Sequence, residues 1–362
     1  MQIGIVGLPT STKTTIFNAL THSQAVTAAF STGQVETNTA VVEVPDPRVE
    51  RLSAMFKPKL TTPARVQYND IAGLRAGIGQ EGGMTGPLLN ALAINDALLH
   101  VVRAFQDDQI PHPSGSVNPA RDVETLDFEF LVSDLGIVER RMERLEHDLN
   151  RKGNYATRKT DQQEYDLLAR LKETLEREVP IRDVELTDEE DKLLRGFRFL
   201  TAKPALVVLN VGDDGDDDPA QYLSYDHRRS QVICLRGGLE MEIAQLSEGE
   251  AAEFMREYGI SEPGLHRMIR LSYELLGLQS FFTVGEDEVR AWTVERGANA
   301  VEAAGAIHTD LARGFIRAEV VAYNDLIAAG SLAAARKAGK LRLEGRDYIV
   351  QDGDVMNILF NI

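Results

Sequence analysis

The strongest chemical signal in the sequence is the segment Gly-Leu-Pro-Thr-Ser-Thr-Lys-Thr at residues 7–14. A loop that cradles nucleotide phosphates needs inward-facing backbone N–H groups, a lysine for the β- and γ-phosphates and a hydroxyl for Mg²⁺. Gly7, Lys13 and Thr14 supply the glycine, the lysine and the hydroxyl. Thr12 stands where the usual pattern has a second glycine, and its Cβ is tolerated there if the local φ is negative. The segment predicts a nucleoside triphosphate site, weakened at worst; the alternative is an ordinary strand–turn–helix with a chance lysine.

A second motif, Asp-Ile-Ala-Gly at residues 70–73, follows a strand-like apolar run. At this spacing Asp70 contacts a Mg²⁺-bound water, and the N–H of Gly73 senses the γ-phosphate. Glycine-rich sequence follows between residues 77 and 83. This indicates a switch loop that becomes ordered when the γ-phosphate is present, and a plain surface loop is the alternative.

A third motif, formed by Asn210, Val211 and Asp213, ends the apolar run at residues 204–209. Loops that contact the base lie at the carboxyl ends of strands in open α/β sheets. GTPases use Asn-Lys-x-Asp, in which the aspartate accepts hydrogen bonds from guanine. Here Val211 replaces the lysine and the aspartate position is retained. The three motifs, in this order and each at a strand end, predict a nucleotide-binding domain and leave the base open.

A mostly parallel sheet covered by helices must hold these motifs. Residues 1–124 alternate short apolar runs with helical patterns, as is typical of such a sheet, and the pattern resumes over residues 201–277. Between them, residues 125–200 carry apolar positions at helical spacing, which predicts two antiparallel helices with a coiled-coil seam. Residues 278–362 indicate a separate small β-rich domain. Its expected strands are 280–284, 289–294, 318–321 and 348–350.

The composition excludes several classes of partner. The sequence has 39 Lys and Arg against 56 Asp and Glu, and its net charge of −17 opposes nonspecific attraction to nucleic acid. An RNA partner must therefore meet a local basic patch, and free DNA is not expected. The single cysteine, Cys234, cannot form an internal disulfide, and no apolar run reaches the roughly 18 residues of a membrane span. Since the amino terminus also enters a strand without a charged leader, we expect a cytoplasmic protein outside the membrane. We also expect a monomer.

The order of the motifs, with the helical insertion and the small C-terminal domain, resembles the Obg-like ATPase (YchF) family, a branch of the translation-factor class of P-loop GTPases. The resemblance covers essentially the whole chain and implies an α/β P-loop NTPase (G-domain) fold with a helical coiled-coil insertion and a C-terminal β-grasp (TGS) domain. Its most specific stretches are residues 42–48, 70–74, 100–103, 116–119, 303–310, 313–319, 339–340 and 351–354.

The resemblance also implies a preference for ATP over GTP. The base motif of the family ends in glutamate, whereas here it ends in Asp213, which is chemically closer to the guanine-binding residue. Val211 falls where the family contacts adenine through the main chain, a contact that tolerates a change of side chain. ATP is therefore the first expectation and GTP the second.

Ribosomes or ribosomal subunits are the partners that the resemblance implies, contacted through the insertion and the TGS domain. The insertion carries basic clusters that are suited to RNA. A solvated helix face paired with neighbouring glutamates is the alternative. The clusters consist of Arg140, Arg141 and Arg144, and of Arg151, Lys152, Arg158 and Lys159.

The resemblance assigns further site residues. The matching positions of the phosphate loop are Thr10, Ser11, Thr12, Lys13, Thr14 and Thr15. Gln34 falls where the first switch of the family has a Mg²⁺-binding threonine, and its amide oxygen is a poorer ligand than a hydroxyl. Thr32 or Thr37 is the alternative if the loop shifts. The implied metal-site residues are therefore Thr14, Asp70 and Gln34. Leu74 cannot orient the attacking water; the resemblance offers His112, on a loop between two prolines, and the alternative is a solvent-exposed histidine without a role.

Three functions are consistent with these residues. The first is a slow nucleotide-dependent switch that hydrolyses ATP, or GTP, and reports its state to the ribosome. In it Lys13 and Mg²⁺ hold the phosphates while His112 orients water. The second is a binding module whose catalysis has decayed, and the third is a GTP-specific GTPase.

Overall fold

The computed structural model describes residues 1–22, 26–32, 35–72, 84–150 and 158–361. The strands are β1 (Gln2–Val6), β2 (Val26–Thr32), β3 (Val35–Glu43), β4 (Leu60–Thr62), β5 (Arg65–Ile71), β6 (Ala97–Arg103), β7 (Ala205–Asn210), β8 (Ser230–Leu235), β9 (Leu278–Val284), β10 (Glu288–Glu295), β11 (Phe315–Ala322), β12 (Arg342–Glu344) and β13 (Asp354–Phe360). The helices are α1 (Lys13–His22), α2 (Pro47–Phe56), α3 (Gly86–Ala93), α4 (Pro119–Asn150), α5 (Arg158–Glu176), α6 (Asp188–Leu194), α7 (Gly237–Gln245), α8 (Glu248–Glu257), α9 (Gly264–Leu275), α10 (Ala300–Ile307), α11 (Thr309–Arg313), α12 (Tyr323–Ala329) and α13 (Leu332–Lys337).

The chain packs as two compact units. The first consists of residues 1–42 and 67–268, and the second of residues 43–66 and 269–362. Residues 43–66 therefore pack with the C-terminal part of the chain, although the sequence places them between two strands of the nucleotide-binding domain. The four domain ranges predicted from the sequence stay a prediction.

The first unit is built on a sheet with the strand order β2-β3-β5-β1-β6-β7-β8. The strands from β5 to β8 in this order run parallel, and β2 pairs with β3 antiparallel. Every residue of β6 and β7 is buried, as expected for central strands that are covered on both faces. The predicted fold class, an α/β P-loop NTPase with a helical insertion and a C-terminal domain, is confirmed.

The helices α4 and α5 form the insertion, and their apolar residues have the predicted spacing. The buried residues of this core include Leu131, Val138 and Leu145 of α4 and Leu167, Leu168, Leu171 and Leu175 of α5. α4 begins at Pro119, earlier than expected, because its first turns also bury Val123 and Leu126 against the strands of the sheet. Within the described ranges, no helix combines the length and the apolar character that crossing a bilayer requires.

The second unit is built on a sheet with the order β12-β11-β13-β9-β10-β4. α10 packs its alanines against this sheet in a core that includes Phe281, Phe315 and Met356. The prediction of a strand at residues 348–350 is wrong, because Ile349 makes only an isolated bridge to Asn299. The chain instead turns there and continues into β13.

Asp354 causes that turn before β13. Its carboxylate accepts hydrogen bonds from the Tyr348 hydroxyl at 2.7 Å and from the Gln351 N–H at 2.9 Å. Both bonds draw residues 348–351 back onto the start of β13 instead of leaving them free to pair as a strand. A short apolar run does not by itself reveal such a local turn.

Two of the stretches that resemble the family meet in the second unit. Asp46 caps α2 by accepting a hydrogen bond from the N–H of Arg48 at 3.0 Å. The Arg48 guanidinium pairs with Asp46 and Asp352, each at 2.8 Å, and Asp352 also accepts from the N–H of Ser280 at 3.1 Å. A Cβ on Gly353 would lie 2.9 Å from Nη1 of Arg48. These residues therefore have a structural role within this unit.

In the first unit, Asp134 joins α4 to the segment that precedes β7. The fully buried carboxylate accepts hydrogen bonds from the N–H of Leu200 at 3.0 Å and from the N–H and hydroxyl of Thr201 at 2.8 and 2.7 Å. Burial raises the pKa of Asp134 to about 6, so the carboxylate is ionised at pH 7.5. This side chain fixes the point where the chain returns from the insertion to the sheet.

We expect Asp134→Ala to lower the free energy of unfolding by about 2–4 kcal/mol, because it leaves buried donors without an acceptor. Urea unfolding at pH 7.5 measures the change. Asp134→Asn keeps one acceptor oxygen and is the matched control, for which we expect a smaller loss. An alanine variant as stable as the asparagine variant would contradict the role of the three hydrogen bonds.

Candidate nucleotide-binding site

The candidate site lies at the edge of the first sheet where the carboxyl ends of its parallel strands meet. The register places Ile5 beside Asp70 and Val6 beside His100, and β7 ends at Asn210. The phosphate loop, the aspartate motif and the base motif therefore converge at one edge. Ligands of open α/β sheets bind at this edge.

The phosphate loop connects β1 to α1. A Cβ on Gly7 would lie 2.5 Å from both Ser11 Oγ and the carbonyl oxygen of Val101, so only glycine fits there. The N–H of Ser11 donates to the carbonyl oxygen of Leu8 at 3.1 Å and closes the turn. α1 begins at Lys13, so the first N–H groups of the helix face the loop, as an anion site requires.

Thr12 does not have the negative φ under which a Cβ at this position is tolerated. Its φ is 65°, and that of Thr10 is 64°, both in the left-handed region that favours glycine. Such a conformation costs a residue with a Cβ about 1–2 kcal/mol. The Thr12 hydroxyl offsets part of the cost, because it donates to the carbonyl oxygen of Ser11 and accepts from the amide of Asn210. The loop thus keeps a glycine conformation at a position occupied by threonine.

Lys13 and Asp70 form an ion pair at the centre of the site. Their side chains are 14% and 4% exposed, so the two charges neutralise each other in a largely buried place. Thr14 lies next to Lys13 and is exposed. A carboxylate and a hydroxyl are the oxygen donors that Mg²⁺ prefers, and Asp70 and Thr14 therefore fit this ion.

Of the three other residues predicted to contact the phosphates or Mg²⁺, the structure describes only Thr15. The N–H of Thr15 donates to the carbonyl oxygen of Thr12 at 2.9 Å, and its side chain is half-buried. Gln34 and Gly73 lie outside the described residues, as do the glycines between residues 77 and 83. Their proposed contacts with Mg²⁺ and the γ-phosphate stay predictions.

Asn210 ties the base motif to the phosphate loop. Its side chain is buried; the amide nitrogen donates to the Thr12 hydroxyl, and the oxygen accepts from the N–H of Gly237 at 2.8 Å. Val211 is buried as well, whereas Asp213 is exposed. Both ends of the Asn210 amide are thus engaged by the protein. Val211 and Asp213 are the residues of the motif whose predicted contact with a base stays a prediction.

Phe105, which follows β6, was missed by the sequence analysis. A Cβ on Gly212 would lie 3.4 Å from the Phe105 Cβ, so the aromatic residue sits beside the base motif. The Arg103 guanidinium lies over its ring, 4.9 Å from the centroid. An aromatic side chain beside the base motif is a candidate for contact with a purine. The available signal was an aromatic residue directly after a central strand.

The side chain of His112 is enclosed although the residue as a whole is half-buried, which does not fit the alternative of a solvent-exposed loop histidine. Its side chain is 6% exposed, and Nε2 lies 3.0 Å from Oδ2 of Asp122. The N–H of Ser114 donates to Nδ1 at 3.2 Å. Arg121 contacts the other carboxylate oxygen of Asp122 at 2.8 Å. The histidine was predicted from the sequence, whereas its partner Asp122, which α4 supplies from its first turn, was not.

A small cavity joins the histidine to the phosphate loop. Its volume is about 10 Å³, roughly the space that one water needs. Ser11 Oγ and His100 Nε2 are buried beside it and have no hydrogen-bond partner in the described part of the chain. Burial lowers the pKa of His100 to about 3, so this imidazole is neutral. The residues lining the cavity include Leu8, Pro9, Ser11, His100, His112 and Asp122.

Comparison with known proteins identifies the family. A family model named YchF-GTPase_C, described as "Protein of unknown function (DUF933)", matches residues 278–361. The Ribosome-binding ATPase YchF of Bacillus subtilis (strain 168) is 43% identical over 371 residues, and the match covers all of both chains. Obg-like ATPase 1 of Caenorhabditis elegans is 36% identical, with all of this chain and 92% of that protein covered.

The solved structures include a similar protein. The structure of the Schizosaccharomyces pombe YchF GTPase matches with a TM-score of 0.88 and 31% identity, covering 99% of this chain and 97% of the other. Fold, motif order and identity over the full length agree. The chain therefore belongs to the Obg-like ATPase (YchF) family.

Proposed function

We propose that this protein is a slow nucleotide-dependent switch that hydrolyses the γ-phosphate of ATP, with GTP as a second substrate, and associates with ribosomes. The observation that carries the proposal is the Lys13–Asp70 pair on a glycine-type phosphate loop, at the same sheet edge as the base motif. Relatives named Ribosome-binding ATPase YchF support it.

The phosphates and the magnesium ion account for the Lys13–Asp70 pair. A triphosphate offers Lys13 a stronger partner than a single carboxylate, so the lysine turns to the β- and γ-oxygens. Asp70 is then free to contact the magnesium hydration shell, with Thr14 and, in our proposal, Gln34 as further ligands. When bound, Mg²⁺ neutralises charge on the phosphates.

The base contact favours adenine. The N–H of Val211 donates to the carbonyl oxygen of Leu235 at 2.9 Å, so the Val211 main chain meets a base through its own carbonyl oxygen. A carbonyl acceptor suits the amino group of adenine and repels the O6 atom of guanine. Asp213 favours guanine instead, and this conflict is why GTP remains the second substrate.

His112 is the residue that we assign to the attacking water. Its loop follows β6, and its imidazole borders the same cavity as the phosphate-loop residues Leu8 and Pro9. A positioned imidazole orients water or accepts its proton, which contributes typically 10²–10⁴-fold to a rate. Leu74 stands where many GTPases have a glutamine, which supports a slow reaction.

The insertion is the surface that we assign to ribosomal RNA. Arg140 and Arg144 are exposed on α4 and pair with no acidic residue among those described, whereas Arg141 is held by Glu164 at 2.7 Å. Arg158 and Lys159 are exposed at the start of α5. These cations provide a local basic patch on an acidic chain. A ribosomal partner implies a cytoplasmic protein, and we propose that it acts as a monomer.

Two alternatives remain. A binding module whose catalysis has decayed is favoured by the threonine at position 12 in a glycine conformation. A GTP-specific GTPase is favoured by Asp213. Binding and turnover measured with both nucleotides separate the three functions.

We expect labelled ATP to bind the purified protein more tightly than labelled GTP, in a Mg²⁺-dependent manner. Lys13→Ala should abolish binding, because each charged hydrogen bond to phosphate is worth about 1.5–3 kcal/mol. His112→Ala should leave ATP binding intact and lower kcat. Lys59→Ala is the matched control, since Lys59 is 81% exposed and pairs with Asp287 in the second unit. Failure to bind either nucleotide would contradict the proposal.

We expect Thr12→Gly to lower the Kd for ATP about tenfold, equivalent to about 1.4 kcal/mol, because it removes a Cβ and a hydroxyl from the loop that approaches the phosphates. Thr12→Ala keeps the Cβ in the left-handed conformation and should gain much less. Isothermal titration calorimetry measures both variants. A glycine variant that binds no better than wild type shows that the side chain does not crowd the phosphates.

We expect Arg140→Glu with Arg144→Glu to reduce co-sedimentation with ribosomes several-fold at low salt, since phosphate contacts dominate such binding. The wild-type interaction should weaken as salt rises. Arg195→Glu is the control, because Arg195 is exposed elsewhere on the insertion and pairs with Asp191 at 3.2 Å. Equal losses in the control and the double variant would argue against a specific contact through α4.

A further inference from the structure

The buried contact between His112 and Asp122 has a consequence for turnover. Both ring nitrogens of His112 are engaged, Nε2 by Asp122 at 3.0 Å and Nδ1 by the N–H of Ser114 at 3.2 Å. A backbone N–H can only donate, so Nδ1 is the acceptor and Nε2 carries the proton that is donated to Asp122. In this arrangement neither nitrogen is available to a water, and only 6% of the side chain is exposed.

Asp122 is stabilised independently of the histidine. Its carboxylate is 5% exposed, and Arg121 contacts Oδ1 through Nε at 3.0 Å and Nη2 at 2.8 Å. Asp122 also lies in the first turn of α4, where the helix dipole favours a negative charge. When His112 leaves, Asp122 keeps its charge partner, so the contact opens without leaving a buried charge unpaired.

The phosphate loop borders the place where His112 rests. Leu8, Pro9 and Ser11 line the same small cavity as His112 and Asp122. A change in the loop on nucleotide binding therefore reaches the imidazole directly. The histidine is thus held across one small cavity from the phosphate loop, with its side chain enclosed.

We infer that Asp122 is a positioning residue that holds His112 in a withdrawn position and so limits the fraction of the protein in which the imidazole reaches the attacking water. The inference rests on the proposed role of His112 in hydrolysis. Opening requires the Nε2–H···Oδ2 hydrogen bond and the 3.5 Å contact between Nδ1 of His112 and Nη2 of Arg121 to break, while the Arg121–Asp122 pair remains. Turnover is slow in this account because the open form is the minor one.

Asp122→Asn in the full-length protein tests the inference, because it removes the charge while nearly conserving shape. We expect kcat for ATP to rise about tenfold, with KM unchanged, because a charge-assisted hydrogen bond becomes a weaker neutral one, a difference of about 1.4 kcal/mol. Hydrogen exchange of the amides between residues 105 and 118 should become faster. The double variant with His112→Ala should lose the gain in kcat.

Asp127→Asn is the matched control. Asp127 lies on the same helix and accepts a hydrogen bond from the Tyr225 hydroxyl at 2.9 Å, so it has a similar environment without contact to the histidine. Its kcat should match that of wild type. Asp122→Glu retains the charge and should restore slow turnover in part, which a merely structural role of the side chain would not produce.

A lower kcat in Asp122→Asn, or loop amides that exchange as in wild type, would overturn the inference. If His112→Ala has wild-type turnover, the proposed role of His112 fails, while amide exchange still reports whether Asp122 holds the loop. Nitrogen NMR of the wild-type imidazole covers the case in which Asp122→Asn does not fold. A protected Nε2–H tautomer supports the withdrawn position, and a solvent-averaged imidazole contradicts it.

Discussion

The parallel alignment of β5, β1, β6, β7 and β8 is the constraint on which the rest of the site depends. Because these strands run the same way in register, their carboxyl ends bring together segments that are far apart in sequence. Lys13 meets Asp70 across this edge. Asn210 then joins the phosphate loop, through Thr12, to the start of α7, through Gly237. One buried amide side chain thus fixes the distance between the place for the phosphates and the place for the base.

The same constraint explains how the phosphate loop keeps its shape without its second glycine. Thr10 and Thr12 hold left-handed backbone conformations that cost about 1–2 kcal/mol each for residues with a Cβ. Strained residues persist where the surroundings determine the backbone more strongly than the residue itself does. Here the absence of space at Gly7, the Lys13–Asp70 pair and the Asn210 bond fix the loop from three sides.

The elements that the sequence predicted well are those whose burial follows a simple period. The apolar runs of β6 and β7 and the heptad-like spacing of α4 identify a buried strand or a helix seam without knowledge of the neighbours. The strand expected at 348–350 failed because Asp354 turns the chain through side-chain hydrogen bonds that periodicity does not report. The sign of φ at Thr12, on which the tolerance of its Cβ depends, could not be predicted, because the Thr12 hydroxyl is bonded by Asn210, 198 residues further along the chain.

The candidate site was predictable to the extent that chemistry resides in single residues. Lys13, Asp70 and Asn210 could be named from their types and spacing, and the structure brings them to one edge. Phe105 and Asp122 could not, because an aromatic residue after a strand and an acid in a helix turn are common. Their relevance comes only from what packing places beside them, Gly212 and His112 respectively.

Two contacts of a buried carboxylate near the phosphate loop, Lys13–Asp70 and His112–Asp122, differ in what can open them. Lys13 and Asp70 pair only with each other among the described residues, so separating them in a largely buried place leaves two uncompensated charges. In the proposed function, a triphosphate with its magnesium ion supplies the replacement partners for both. Asp122, by contrast, keeps Arg121 when His112 departs. We therefore propose that nucleotide binding acts on the Lys13–Asp70 pair first. The His112–Asp122 contact leaves no buried charge unpaired when it opens, so it is the contact that can follow the state of the loop.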